Sequence, residues 1–274
     1  MGIRGRLKIT ESKWRTAVVL FAVLAFQHRI LWELPLFNIG LPGNMPVYIM
    51  RTISALASIL LIWIFVPDAM ERVKVKVSWR SFFIVVAIFA GYFALGYYKL
   101  IDQSLPFWVI IEGGIFSWFI GLDEELFGRG LIYGLLENRG REIALTGSAA
   151  IFGLQHFTNY LAGEDSFDYV LGHMVSAAGF GYLMAAVMLS TGSVWLSVFM
   201  HGLADYQWVL MEPTQATALT SGQTDWLFIG ITTSLMVLLA RFFISGRDWF
   251  ANGFSKVPGR GRFNSLLRYL GLVE

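Results

Sequence analysis

Runs of about 20 apolar residues, each closed by a short polar stretch, recur from one end of the chain to the other, and that is the length a helix needs to cross a hydrocarbon core. Eight such runs are read, at roughly 15–34, 47–67, 79–98, 105–136, 143–162, 168–190, 193–211 and 226–244. The fourth is longer than a crossing requires, so it is expected to tilt or to project past the membrane. The first is broken by Gln27, His28 and Arg29 and follows a basic start. No small-residue cleavage pattern follows its run Ala17–Phe26, so an uncleaved helix is expected there. The pattern predicts an all-α polytopic transmembrane bundle forming a single membrane-embedded domain over residues 1–274, with no internal repeat or linker.

Basic residues sharpen this picture because they collect on the cytoplasmic side of membrane proteins. Arg4, Arg6, Lys8, Lys13 and Arg15 precede the first run, and Arg72, Lys74, Lys76 and Arg80 follow the second. Arg139 and Arg141 follow the fourth, and Arg247, Lys256, Arg260, Arg262 and Arg268 follow the last. The alternate connections hold Lys99 alone or are acidic, as at Glu164, Asp165 and Asp168. Eight spans with both termini cytoplasmic put every basic cluster on one side. The weakest boundary is the uncharged turn Ser190–Ser193 between the sixth and seventh runs.

Composition agrees and excludes several classes. Hydrophobic residues make up 56% of the chain and charged residues 15%, against about 25% charged in a soluble domain. With no cysteine there is no disulfide, thiol nucleophile or thiolate metal ligand. A net charge of +2 with no basic stripe gives no footprint for nucleic acid.

Charged and imidazole side chains inside spans cost roughly 2.5–3.5 kcal/mol at a helix centre, so those present face protein or a water-filled cavity. The fourth run carries Asp123, Glu124, Glu125 and Arg129. On a helix Glu125 and Arg129 share a face, whereas Glu124 points about 100° away, so one carboxylate can be braced and its neighbour left to act. Phe152 with His156, and His201 with Asp205, repeat the one-turn spacing on the fifth and seventh runs. At 1.5 Å per residue, Glu124, His156, His201 and Asp205 lie about 18, 20, 12 and 18 Å from the cytoplasmic ends of their runs, which predicts one shared site.

The segments Glu124-Glu125-Leu-Phe-Gly-Arg129, Phe152-Gly-Leu-Gln-His156 and His201-Gly-Leu-Ala-Asp205 resemble the EExxxR, FxxxH and HxxxN/D signature of one family. It is the CAAX proteases and bacteriocin-processing enzymes, glutamic intramembrane endopeptidases related to the Ras-converting CAAX endopeptidase. Ser148-Ala-Ala-Ile-Phe-Gly and Thr191-Gly-Ser-Val-Trp match as well, and the resemblance covers roughly residues 105–211. It implies that Glu124, helped by His156, activates a water that attacks a peptide carbonyl. His201 and Asp205 stand at the family's oxyanion-binding pair, and Glu125 with Arg129 braces the site. Two departures follow: Gly128 stands where an aromatic often precedes the arginine, and Asp205 replaces the alternative Asn. An ionised Asp cannot donate a hydrogen bond, so Asp205 is expected to orient and charge His201, which alone donates.

The expected substrate is a peptide or protein entering from the bilayer, with CAAX-type C-termini, leader peptides and membrane-protein segments all compatible; no cofactor or metal is expected. A compact chain with no retention signal leans toward a bacterial cell membrane. Zinc-dependent hydrolysis by the same residues and a non-catalytic scaffold or immunity protein on the same fold stand as alternatives, since Glu with two His is a known zinc set. No HExxH, GxGD or GxSG motif is present, and nothing marks Ser148 or Ser197 as activated. Glu112 is left unassigned, His28 and Arg29 are read as a packing or interface pair, and His173 is read as interfacial.

Overall fold

The computed structural model describes residues 45–74, isolated helical positions between 82 and 91, residues 104–161, 163, 165–210 and 224–245. The first predicted span, most of the third, both termini and the basic tails lie outside the described residues. Every described element is helical, in keeping with the apolar runs. These are α1 (Met45–Phe65), α2 (Met70–Val73), α3 (Phe107–Glu125), a π-helical segment (Leu126–Ile132), α4 (Tyr133–Leu136), α5 (Arg141–Gln155), α6 (Phe157–Leu161), α7 (Phe167–Thr191), α8 (Val194–Val209) and α9 (Trp226–Ser245).

Local chemistry sets the ends. Ser166 caps α7 by accepting a hydrogen bond from Tyr169 N at 3.3 Å. Gly192 closes it in the left-handed conformation, φ +73°, with its N–H on Met188 O. That glycine makes the uncharged turn a real boundary between α7 and α8. The fifth run is not one helix: α5 stops at Gln155, His156 sits in the break, and α6 resumes for one short stretch. The fourth run continues from Phe107 to Leu136 but widens to π geometry immediately after the paired glutamates.

By length and composition, α1, α7 and α9 are able to cross a membrane. α3 carries Glu112 and the three carboxylates at its end, and α5 and α8 are shorter, at 15 and 16 residues. Exposed apolar side chains on α1 and α9, such as Leu56, Trp63, Leu227 and Leu238, give these helices a surface suited to lipid.

The core lies where α3 packs on α8, and α7 on α5 and α9. Small residues set those distances, as expected between membrane helices. A Cβ on Gly153 would sit 2.5 Å from Met174 O, and one on Gly179 would sit 2.7 Å from Thr233 Cγ2. Between α3 and α8 the close approach is at Gly121, where a Cβ would lie 2.6 Å from Val198 O and 2.8 Å from Gly202 N. Neither neighbour is a side chain that can swing away. Gly121→Ala is therefore expected to push α3 from α8, destabilise the fold by about 1–3 kcal/mol and weaken every contact between the two helices. Its check is thermal unfolding and activity measured together; a variant matching wild type in both would contradict this packing.

Candidate active site

Paired carboxylates deep in an apolar bundle must be neutralised by partners, and those partners define the site. Asp123, Glu124 and Glu125 end α3 and are all buried. Glu125, fully shielded from solvent, lies with its Oε2 3.1 Å from Nε of Arg129, which is itself 1% exposed. Its other oxygen, Oε1, is 2.7 Å from Nδ1 of His201 on α8. A carboxylate oxygen accepts, so the imidazole N–H donates here. The π turn between Glu125 and Arg129 keeps this ion pair closed while placing the whole segment Leu126–Ile132 in the core. Such turns are frequent at functional sites.

Phe152 of α5 is the platform on which these groups rest. The Arg129 guanidinium lies 4.3 Å above its ring, a cation–π contact in a desolvated setting. The same ring meets His156 at 5.4 Å and His201 at 5.7 Å between centroids. Gly181 of α7 leaves room for the stack, because a Cβ there would lie 3.1 Å from both Arg129 Nη2 and Phe152 Cδ1.

Glu124 shares His201 with Glu125 but takes a different arginine. Its Oε1 accepts a hydrogen bond from Arg51 Nη1 at 3.1 Å, and its Oε2 lies 3.7 Å from His201 Nε2. Asp205, one turn along α8, places Oδ2 3.5 Å from the same His201 nitrogen. His201 thus faces Glu125 on one side and both Glu124 and Asp205 on the other. Its short bond is to Glu125, so Glu125 rather than Asp205 fixes the ring most closely. His156 is held by its Nδ1, 3.1 Å from Phe152 O. A carbonyl only accepts, so Nδ1 carries the proton and Nε2 is the acceptor in the neutral ring. The charges of Glu124 and His201 both act on His156.

The structure therefore brings Glu124, Glu125, Arg129, His156, His201 and Asp205 together, and adds two residues that the sequence reading missed. Arg51, from α1, also donates from Nη1 to Asp123 Oδ2 at 3.0 Å. A lone arginine within an apolar run is itself a functional signal, and that signal was present in the sequence. His173 on α7, read as interfacial, instead stacks against His156 with 4.4 Å between ring centroids, and its Nδ1 is buried without a hydrogen-bond partner among the described residues. Trp195, read as part of an interfacial belt, gives its indole N–H to Val73 O at 2.6 Å.

Ser148 and Ser197 donate to the helix carbonyls of Leu145 and Met184, at 3.2 and 2.9 Å. Neither is set up as a nucleophile. Among the described residues, no group of three or more His, Asp and Glu side chains is arranged to hold a metal ion. Chemically, the cluster offers a carboxylate facing an imidazole across a gap too wide for a direct hydrogen bond, with a second imidazole nearby.

Residues 103–207 match the family model described as type II CAAX prenyl endopeptidase Rce1-like. No curated protein and no solved structure matches the chain.

Proposed function

We propose, from the match of residues 103–207 to the model of Rce1-like CAAX prenyl endopeptidases, a protease family, that this chain is an intramembrane endopeptidase of the glutamic type that hydrolyses peptide bonds of membrane-associated substrates. The observation that carries this reading is the opposition of Glu124 Oε2 and His201 Nε2 at 3.7 Å, with Asp205 beside them and His156 within electrostatic reach.

Glu124 takes a proton from a water while His156 orients it, and the water oxygen attacks the substrate carbonyl carbon. His201, charged and aligned by Glu125 and Asp205, donates to the oxyanion that forms. Collapse breaks the C–N bond, and the proton held by Glu124 passes to the leaving amine. Arg129 and Phe152 keep Glu125 and His201 in register. In this reading the chain is one domain over residues 1–274, crossing a bacterial cell membrane eight times with both termini cytoplasmic. Substrates, either CAAX-type C-termini or leader peptides, reach the site from the bilayer.

The test uses the purified full chain in detergent with three fluorogenic peptides: a prenylated CAAX-type C-terminus, its unprenylated twin and a hydrophobic leader segment. Cleavage of at least one, undiminished by a chelator, is expected. Activity lost on chelation and restored by zinc would overturn the glutamic mechanism, and no cleavage of any peptide would favour a non-catalytic scaffold.

A further inference from the structure

A general base in a buried acidic cluster needs a device that decides how much negative charge it carries and which way it faces. Glu124 is surrounded by charge from every side: Asp123 and Glu125 on its own helix, Arg51 from α1, Arg129 from the π segment, His201 and Asp205 from α8, His156 from the α5–α6 break and His173 from α7. Arg51 bonds Glu124, whereas Arg129 is engaged by Glu125. Arg51 also lies outside the matched segment 103–207, so the family pattern does not account for it.

We infer that Arg51 is a positioning residue for Glu124, its single guanidinium nitrogen Nη1 shared between Glu124 and Asp123 so that Oε1 is held and Oε2 is left turned toward His201. The geometry is specific. One nitrogen spans Asp123 Oδ2 at 3.0 Å and Glu124 Oε1 at 3.1 Å, and all three side chains are largely withdrawn from solvent, at 18%, 6% and 10% exposure. Asp123 is thus a competitor for the cation. It adds like charge beside Glu124 and draws Arg51 partly away, whereas Arg51 favours the ionised form that a base requires.

The two neighbours therefore act with opposite signs, which a purely structural role would not produce. This rests on Glu124 acting as base, and the experiment separates the two claims. The full-length protein in detergent is assayed with the peptide it cleaves, recording kcat, KM and the pH–rate profile for wild type, Arg51→Gln, Arg51→Lys, Asp123→Asn and Glu124→Gln. In Arg51→Gln, kcat is expected to fall about 10- to 100-fold through misplacement of the base, with KM within about twofold. Its acidic limb should move up by about one pH unit, because loss of a cation makes the carboxylate harder to ionise. In Asp123→Asn the limb should move the other way, to lower pH, because a like charge is gone and Arg51 is no longer shared. Arg51→Lys should return the limb most of the way.

Limbs that move together, or not at all, would overturn the inference while Glu124→Gln stays inactive. An active Glu124→Gln would instead remove the premise. Should Arg51→Gln fail to fold, the double variant Arg51→Gln with Asp123→Asn, which removes one charge of each sign, replaces it: a kcat about 10-fold or more below that of Asp123→Asn alone supports the inference, and a kcat equal to that of Asp123→Asn sinks it.

Discussion

Glu124→Gln is expected to abolish peptide cleavage, lowering kcat/KM by about 10²- to 10⁴-fold while leaving the fold intact. The substitution keeps the size of the side chain and one oxygen able to accept from Arg51, whose bond to Glu124 is 3.1 Å. It removes the basic oxygen that faces His201 across 3.7 Å. An amide cannot take a proton from water near neutral pH, so the loss falls on the chemical step. Stability should not suffer, because the substitution also removes one of three consecutive carboxylates, Asp123 to Glu125. The comparison is single-turnover cleavage beside thermal unfolding of the same preparation. A variant that unfolds like wild type and retains more than a tenth of its rate would assign the base elsewhere.

The second large effect concerns stability. Arg129→Met is expected to cost about 3–5 kcal/mol, because breaking one side of a buried ion pair leaves the other charge uncompensated. Glu125 is fully shielded from solvent, and its remaining partner is His201 at 2.7 Å. Methionine fills much of the vacated space, so the penalty is electrostatic rather than that of a cavity. It also forfeits the guanidinium stacked 4.3 Å over Phe152. Unfolding in detergent should occur more than about 6 °C below wild type. The double variant Glu125→Gln with Arg129→Met should recover part of that loss, because removing both charges is cheaper than orphaning one. If the double variant is no more stable than Arg129→Met alone, the ion pair is not what holds this region. Activity should remain low in both, since Glu125 also fixes His201.

The helices around the site were legible because apolar runs are long and their ends carry recognisable chemistry. α7 and α9 were read as 168–190 and 226–244, within a residue or two of Phe167–Thr191 and Trp226–Ser245. The site residues were legible because ionisable groups are costly in apolar surroundings and therefore conspicuous. Geometry between helices was not. Hydropathy carries no record of which end of one helix meets which end of another, so His173 was read at an interface when packing brings it to His156. Arg51 stood alone among apolar neighbours, with no motif partner nearby in sequence to give it meaning. The π turn and the break at His156 escaped for a different reason: both are changes of backbone pitch within continuous helix-forming sequence, and a count of apolar residues does not register pitch. Asp205 was expected to align His201, whereas the short bond to that ring comes from Glu125.

The position of Arg51 has a consequence for how this protein is divided. Four acidic side chains, Asp123, Glu124, Glu125 and Asp205, meet two guanidinium groups, Arg51 and Arg129, together with His201. A fragment trimmed to residues 103–207 would retain every residue of the three motifs and surrender one of the two arginines. It would satisfy any pattern search and yet be electrically a different object. The smallest unit that keeps both arginines among the four carboxylates includes α1, so the boundary drawn by sequence similarity and the boundary drawn by the charges of the cluster do not coincide.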